Sequence, residues 1–191
     1  MLNLPIQGIE FFSKGKRGVV YTGTYKERKV AIKVKRPTSN AESAIENEYF
    51  WLKKLNPYQI GPKVVFFKNK ALVYEFVDGK YILDFLKKAS KKEASKILKE
   101  VFRQLRIMDK LKVNKKEMHK PLKHIIIGKK VVLLDFERCY KSNKPKNVTQ
   151  FCQFLLRRKL IKVKENDFIE LLKGYKKNLD NKSFNKILRL I

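Results

Sequence analysis

The first third of the chain repeats apolar residues with the spacing of β-strands. In residues 29–35, larger apolar side chains occupy one face, and alanine and lysines occupy the other. This period of two predicts a strand with one buried face. Similar patterns predict four further strands, at Ile9–Phe12, Val19–Tyr25, Lys63–Phe67 and Ala71–Phe76. A helix is predicted from Ser39 to about Leu55. The Ser39-x-x-Glu42 spacing predicts a capping box at the start of that helix.

The apolar spacing becomes helical after Asp78-Gly79. The Ser90-x-x-Glu93 spacing predicts a second capping box, which begins a long helix with one apolar face. Residues 113–123 are predicted to form a polar, lysine-rich loop. The other predicted elements are a short helix at Tyr81–Ala89, strands at His124–Ile127 and Lys130–Leu134, a helix capped by Asn147 and helices at about 166–173 and 183–190.

These elements predict an α+β fold in two lobes. Residues 1–78 are expected to form an N-terminal lobe with an antiparallel sheet and one helix. Residues 79–191 are expected to form a small, mostly helical C-terminal lobe. The boundary is placed at the Asp78-Gly79 turn, because the spacing of apolar residues changes there.

The net charge of the chain indicates polyanionic partners. Lysine and arginine number 46 against 18 aspartate and glutamate residues, which gives a formal charge of +28. A charge of this size favours binding to RNA, DNA, nucleotides or an acidic protein. The basic residues are dispersed along the chain and match no common nucleic-acid-binding motif. A lysine-rich proteome is the alternative explanation, although thermophile proteins usually match lysine with glutamate.

The remaining composition is that of an ordinary intracellular protein. Cys139 and Cys152 are too few for a disulfide framework or a zinc site, and both are expected to be buried. The first residues lack the apolar core of a signal peptide, and no apolar run approaches the length of a membrane helix. We therefore predict a soluble, cytoplasmic protein without membrane contact.

A glycine-containing segment between two predicted strands is a candidate phosphate-binding loop. It reads Ser13-x-Gly15-x-x-Gly18-x-Val20. Glycines let backbone N–H groups approach phosphate oxygens, and a strand–loop–strand setting suits a cover over a nucleotide. The Walker A and Rossmann loops are excluded because each continues into a helix. By itself, the segment also fits an ordinary hairpin turn.

Lys33 is a charged residue in an apolar strand, Val30-Ala31-Ile32-Lys33. A buried lysine requires a counter-charge. Glu48 on the following helix is the chosen partner, Glu46 is the second choice, and Glu42 fits a helix cap better. The alternative is that Lys33 faces solvent from an edge strand.

Asp135 follows the apolar run 131–134. A carboxylate at the end of a buried strand suits Mg²⁺ bound against phosphate oxygens. Glu137 is placed to add a second carboxylate. The alternative is an aspartate that caps the turn at Arg138.

The order of these segments resembles the nucleotide-binding half of a protein kinase, over residues 9–137. The resemblance implies an ATP- and Mg²⁺-dependent phosphotransferase in which Lys33 holds the phosphates, Glu48 positions Lys33 and Asp135 binds the metal. Segment 74–79 resembles the kinase hinge that meets adenine. The implied ATP-binding residues are Gly15, Gly18, Val20, Ala31, Lys33, Glu48, Glu75 and Val77.

The resemblance weakens where kinases carry the catalytic base, because residues 114–124 contain no aspartate. One alignment matches His119–Leu122 to the kinase His-Arg-Asp-Leu motif and leaves Pro121 at the base position. The other makes Glu117 the base and places His124 where a metal-binding asparagine usually stands. Lys123 is then placed to neutralise charge on the transferred phosphate. The implied catalytic residues are Glu117, Lys123 and Asp135, and the implied metal ligands are Asp135 and His124.

The short C-terminal region narrows the resemblance to a smaller group of kinases. Asp-Phe-Glu at 135–137 replaces the kinase Asp-Phe-Gly, and no long activation loop fits after it. These features resemble compact atypical kinases, the RIO and Bud32-like groups. The runs 117–124, 135–138 and 146–151 resemble an archaeal family of predicted Ser/Thr protein kinases.

Three functions remain open from the sequence. The first is an atypical Ser/Thr protein kinase that acts on a protein substrate. The second is a pseudokinase-type binding module that docks on RNA, a ribonucleoprotein or an acidic protein. The third is a small-molecule kinase of the aminoglycoside or choline type, for which the short C-terminal lobe leaves little room.

Overall fold

The computed structural model describes residues 3–191 of the chain. Its strands are β1 Gln7–Lys14, β2 Gly18–Tyr25, β3 Arg28–Lys35, β4 Val64–Lys68, β5 Ala71–Glu75, β6 Lys80–Tyr81, β7 Val113–Lys115, β8 Ile125–Ile127, β9 Val131–Leu133 and β10 Cys139–Lys141. Its α-helices are α1 Ala44–Leu55, α2 Ile82–Leu86, α3 Lys91–Lys110, α4 Asn147–Arg157, α5 Glu165–Asn178 and α6 Asn181–Arg189. Short 3₁₀ turns lie at Asn56–Tyr58 and Lys116–His119.

The chain divides into two compact units. The first extends to Gly79 and also includes Gly128–Arg138, whereas the second consists of Lys80–Ile127 and Cys139–Ile191. The domain boundary between residues 78 and 79 remains a prediction. In the structure, the segment that carries Asp135 belongs to the unit that contains the N-terminal sheet.

The first unit is built on a five-stranded antiparallel sheet with the order β1-β2-β3-β5-β4. This sheet and the helical C-terminal part confirm the predicted α+β class. One face of the sheet packs Val30, Ile32, Ala71 and Val73 into an apolar cluster. Burial of these β-branched and aliphatic side chains supplies the main stabilisation of the sheet.

The other face of the sheet carries four of the candidate ATP-binding residues. In the pairing register, Val20 lies opposite Lys33, and Lys33 lies opposite Leu72. Paired residues project to the same face, and so do residues two apart on one strand. Gly18, Val20, Ala31 and Lys33 therefore share one face, opposite the apolar cluster.

Helix α1 begins five residues after the predicted cap. Ser39 Oγ accepts a hydrogen bond from the Ala41 N–H (3.2 Å), so this serine shapes a turn before the helix. Glu42 forms an ion pair with Lys35 instead of closing a capping box. The predicted cap at Ser39 was therefore wrong, because both of its polar side chains have other local partners.

The second unit is mainly helical. Helix α3 starts with the predicted capping box, in which Ser90 and Glu93 exchange hydrogen bonds. Helix α4 lacks the predicted cap: Asn147 is its first residue, and its amide oxygen accepts from the Lys115 N–H (2.8 Å). A hydrogen bond across 32 residues of sequence replaces the local cap.

The predicted polar loop at 113–123 was also wrong. Its first residues form β7, which pairs antiparallel with β10, and the 3₁₀ turn Lys116–His119 follows. Lys115 and Glu117 in this segment are buried. Cys139 and Cys152 are buried, as expected. Within residues 3–191, no helix is long and apolar enough to span a membrane.

Candidate functional site

Lys33 lies at the centre of a cluster of ionisable groups in the first unit. Its Nζ is 2.5 Å from Glu48 Oε2 and 2.8 Å from Asp135 Oδ1. A third carboxylate oxygen, Glu137 Oε2, lies 3.5 Å from the same nitrogen. The Lys33 side chain is only 10% exposed. The structure thus selects Glu48, and not Glu46, as the glutamate of α1 that pairs with Lys33.

Helix α1 holds the segment that follows β9. Glu48 Oε1 accepts a hydrogen bond from the Phe136 N–H (3.2 Å). The neighbouring Asn47 donates its side-chain amide to the Glu137 carbonyl oxygen (2.7 Å). Glu48 therefore contacts both Lys33 and the backbone after Asp135. This double contact fixes the relative positions of β3, α1 and residues 135–137.

Asp135 has a left-handed backbone, with φ +66°. This conformation is uncommon for residues other than glycine, although aspartate tolerates it better than most. It directs the segment back toward α1 immediately after the buried strand β9. Its side chain is 31% exposed, so the carboxylate has access to solvent while it contacts Lys33.

The pKa shifts around Lys33 reflect both burial and neighbouring charges. Burial opposes the charged lysine, but attraction by Glu48 and then Asp135 outweighs it and raises the Lys33 pKa well above its usual value. Burial, with a smaller contribution from Asp135, raises the pKa of Glu48 despite its contact with Lys33. Burial and then Glu48 also raise the pKa of the Tyr74 hydroxyl.

The three carboxylates have the chemistry of a divalent-metal site. One oxygen each from Glu48, Asp135 and Glu137 lies within 4.8 Å of the others. Carboxylate oxygens are the ligands that Mg²⁺ prefers. Lys33 and Arg17 both contact this group of carboxylates, and Arg17 Nη1 is 3.1 Å from Glu137 Oε1.

The glycine segment forms a tight turn next to Lys33. The Gly15 N–H donates to the Gly18 carbonyl oxygen (2.8 Å). A Cβ added at Gly18 would lie 3.1 Å from Lys33 Cε and 3.3 Å from the Val34 carbonyl oxygen. Glycine at position 18 therefore leaves room for the lysine side chain. The contact of Arg17 with Glu137 was not foreseen, because 120 residues separate the two in sequence.

The predicted hinge has its own backbone anchors. The Glu75 N–H donates to the Lys63 carbonyl oxygen (2.9 Å), and the Phe76 N–H donates to the Lys29 carbonyl oxygen (3.1 Å). Val77 follows directly. The two hydrogen bonds hold the chain in an extended form beyond β5. A cavity of about 640 Å³ is lined by residues 75–79, by 128–132 and by part of the segment 56–63.

The other predicted catalytic residues belong to the second unit. Glu117 is buried, and its Oε2 lies 3.0 Å from Nζ of the fully buried Lys115. Lys123 is exposed and His124 is half-buried, with the His124 N–H bonded to the Pro121 carbonyl oxygen (3.2 Å). The structure thus brings Lys33, Glu48 and Asp135 together in one unit and gives Glu117 a buried partner in the other.

The sheet, helix α1 and the buried Lys33–Glu48 pair define a protein kinase-like domain. Comparison with family models gives a match to the RIO domain over residues 6–149, about three quarters of the chain. The chain belongs to the RIO domain family, which is a family of atypical kinases. Comparison with curated proteins gives no match. The resemblance to compact atypical kinases is therefore confirmed, and residues 150–191 lie beyond the matched region.

Proposed function

We propose that the protein is an ATP- and Mg²⁺-dependent phosphotransferase of the atypical Ser/Thr protein kinase type. The observation that carries this proposal is the contact of Lys33 with Glu48 and Asp135 inside a RIO domain. A lysine with a raised pKa remains charged at neutral pH and is available to phosphate oxygens. Phosphoryl transfer depends mainly on positioning and on charge stabilisation, and this cluster supplies both.

Lys33 and Glu48 act as one unit in this proposal. Lys33 holds the α- and β-phosphates, and Glu48 fixes the direction of the lysine side chain. Because Glu48 also accepts from the Phe136 N–H, it aligns the lysine with the segment that carries Asp135. Gly18 leaves room for Lys33, and Gly15 closes the turn above it.

Asp135 is the principal metal-binding residue of the proposal, with Glu137 as a second carboxylate. Bound Mg²⁺ would neutralise charge on the transferred phosphate. Both carboxylates contact Lys33, so the metal and the lysine would share the same phosphate groups. His124 fits this role less well, because imidazole is a poor ligand for Mg²⁺.

We assign the adenine end of the nucleotide to the face of the sheet that carries Lys33. Val20 and Ala31 project to the face that carries Lys33. Glu75 and Val77 follow along β5 and beyond it, where backbone groups would meet the adenine edge. The shared face, derived from the strand register, supports this assignment.

Glu117 and Lys123 remain the proposed base and charge-neutralising residue. General-base assistance is worth about 10²–10⁴-fold in rate, so its loss slows turnover without abolishing it. The ion pair of Glu117 with Lys115 lowers the availability of the carboxylate to a substrate hydroxyl. The base role is therefore the least supported part of the proposal.

The test is transfer of phosphate from γ-labelled ATP in the presence of Mg²⁺. We expect Lys33→Ala and Asp135→Asn each to lower turnover by at least about 100-fold, the usual effect of removing an electrostatic contact with the transition state. Nucleotide binding is measured in parallel by calorimetry. Label on the protein, on an added protein substrate or in released phosphate counts as turnover.

Two variants serve as matched controls. Lys35→Ala removes a lysine from the same face of β3, and Asp84→Asn neutralises an exposed aspartate in the other unit. Both are expected to retain wild-type turnover. Equal turnover in Lys33→Ala and Lys35→Ala would overturn the assignment of Lys33.

A pseudokinase-type binding module is the second candidate. The observations in its favour are the burial of Glu117 against Lys115 and the charge of +28. The binding partner would be RNA, a ribonucleoprotein or an acidic protein. We expect RNA affinity to fall steeply with salt concentration, since each neutralised phosphate releases counterions. RNA binding that is absent or insensitive to salt would remove this candidate.

A further inference from the structure

Arg17 and Glu137 connect the glycine turn to the metal-binding segment. Arg17 Nη1 donates to Glu137 Oε1 over 3.1 Å. The arginine side chain is 35% exposed, whereas the glutamate side chain is only 8% exposed. The contact therefore joins a largely buried carboxylate to a cation with a path to solvent.

The backbones at both ends of this contact are anchored elsewhere. The Arg36 N–H donates to the Arg17 carbonyl oxygen (2.8 Å), which ties the turn to the end of β3. The Glu137 carbonyl oxygen accepts from the Asn47 side chain (2.7 Å), which ties the segment to α1. A change of partner by the Arg17 side chain therefore requires no change in either backbone.

Glu137 also contacts the lysine of the cluster, because its second oxygen lies 3.5 Å from Lys33 Nζ. Removing Arg17 from Glu137 would leave a largely buried carboxylate short of one cation, which is costly unless another cation replaces it. Mg²⁺ is such a replacement. The released guanidinium has the planar donor geometry that suits phosphate oxygens as well as carboxylates.

We propose that Arg17 and Glu137 form a latch that Mg²⁺ and nucleotide open together. Mg²⁺ replaces Arg17 at Glu137, and Arg17 moves to the phosphates of the nucleotide. Arg17 is thus a positioning residue for the metal and a binding residue for the phosphates. The inference rests on the proposed function, and it identifies a role for the glutamate that replaces the kinase glycine.

Lys16 provides a matched control for Arg17. It is the adjacent residue in the same turn, carries the same charge and is exposed. Arg17→Ala and Lys16→Ala therefore change the net charge of the turn equally. A difference between the two variants reports the contact with Glu137 and not the general electrostatic field.

The first measurement is the affinity for Mn²⁺ without nucleotide, followed by electron paramagnetic resonance. Because Arg17 competes with the metal for Glu137, we expect Arg17→Ala to bind Mn²⁺ about 5-fold more tightly than Lys16→Ala, within the range of coupling between contacting residues. In a Glu137→Gln background the difference between the two variants should disappear. Equal Mn²⁺ affinities of Arg17→Ala and Lys16→Ala in the wild-type background would overturn the latch.

The second measurement is the affinity for Mg²⁺-ATP, followed by calorimetry. We expect Arg17→Ala to bind Mg²⁺-ATP more weakly than Lys16→Ala, although it binds Mn²⁺ alone more tightly. This opposite response is specific to an arginine that changes partner, since a purely structural contact would move both affinities in the same direction. Amide hydrogen exchange of residues 13–18 confirms that each variant is folded.

The two hypotheses fail in different ways. A wild-type protein that binds neither Mn²⁺ nor Mg²⁺-ATP overturns the proposed function, and the latch with it. If the wild-type protein binds both Mn²⁺ and Mg²⁺-ATP, but Arg17→Ala and Lys16→Ala have equal affinities in each assay, only the latch is overturned.

Discussion

Two buried lysines, one in each compact unit, contact carboxylates in different settings. Lys33 lies within 3.5 Å of carboxylate oxygens from Glu48, Asp135 and Glu137. Lys115 Nζ lies 3.0 Å from the carboxylate of Glu117. The Lys115 side chain is fully buried, whereas 31% of the Asp135 side chain is exposed. The comparison separates a fully buried ion pair from a cluster that solvent can reach.

The two lysines differ less in burial than in the access of solvent to the carboxylates that they contact. A fully buried ion pair is out of reach of a soluble ligand. The cluster around Lys33 brings three carboxylates to one lysine, and the Asp135 carboxylate can be reached from solvent. We therefore propose that Lys115 and Glu117 form a structural pair and that the Lys33 cluster is a ligand site.

Asp109 in the second unit shows that a buried carboxylate alone does not indicate function. Its oxygens accept hydrogen bonds from the Asn147 backbone and side chain, the Val148 N–H and the Tyr175 hydroxyl. Burial raises the pKa of Asp109, and these hydrogen bonds lower it in part. The donors connect α3, α4 and α5, so this carboxylate holds helices together.

The largest loss of stability is expected when the buried pair of Lys115 and Glu117 is broken. Lys115→Met leaves Glu117 buried beside an apolar side chain, and loss of one partner of a buried pair costs about 3–5 kcal/mol. We expect the free energy of unfolding, measured in urea, to fall by that amount. Lys120→Met, an exposed change in the same segment, should alter it by less than about 0.5 kcal/mol.

A double variant sharpens this result. Lys115→Met combined with Glu117→Leu removes both charges and should recover most of the lost stability. If the stable double variant transfers phosphate at the wild-type rate, Glu117 is structural and not the base. A double variant as unstable as Lys115→Met would show that the two charges do not form a separable pair.

The second-largest loss of stability is expected when Asp109 is replaced. Asp109→Ala leaves the side chains of Asn147 and Tyr175 without their acceptor, and unsatisfied buried donors cost about 1–3 kcal/mol each. We expect the free energy of unfolding to fall by about 2–4 kcal/mol. Asp84→Ala, on the exposed surface of α2, is the control. A fall no larger than that of the control would mean that the network does not hold the helices together.

The sequence could predict the parts of the site that depend on short-range pattern. The alternation along β3 located Lys33 in a buried strand, and helical spacing located Glu48 on the helix that follows. The Ser90–Glu93 cap was also predictable, because both residues lie within one helical turn. In each case, the information is contained within a few residues.

The parts that could not be predicted depend on contacts between distant segments. Arg17 meets Glu137 across 120 residues, and Asn147 meets Asp109 across 38. The Asn147 side chain would suit a helix cap, but Asp109 and the Lys115 N–H already occupy it. The lysine-rich segment at 113–123 has a polar composition, yet its β7 pairs with β10 and its buried Lys115 and Glu117 form an ion pair.

A smaller change in the free energy of unfolding, of opposite sign, is expected when Asp135 is replaced. Asp135→Asn removes the charge of one of the three carboxylates that lie near Lys33. We expect the free energy of unfolding to stay the same or to rise by up to about 1 kcal/mol, while binding of Mg²⁺-ATP is lost, as is common for groups kept for function. Thermal and urea unfolding without added metal measure the first quantity. A fall comparable to that of Lys115→Met would make Asp135 a structural partner of Lys33.

The smallest effect is a pH dependence that arises from Glu48. Burial raises its pKa in the folded protein above the value near 4.3 that is usual for glutamate. The folded state therefore binds this proton more tightly than the unfolded state. The stability that protonation supplies is present at low pH and is lost as the pH rises through the folded pKa. Glu48→Gln keeps the hydrogen-bond acceptor for the Phe136 N–H but does not titrate.

The wild-type protein should therefore lose stability relative to Glu48→Gln as the pH rises from about 4 toward 7. Urea unfolding of both proteins at matched ionic strength measures this difference. Glu46→Gln, two residues earlier on α1, should follow the wild type. A difference that is constant with pH would show that the attraction of Lys33 offsets the burial of Glu48, and the pKa of Glu48 would then not be raised by folding.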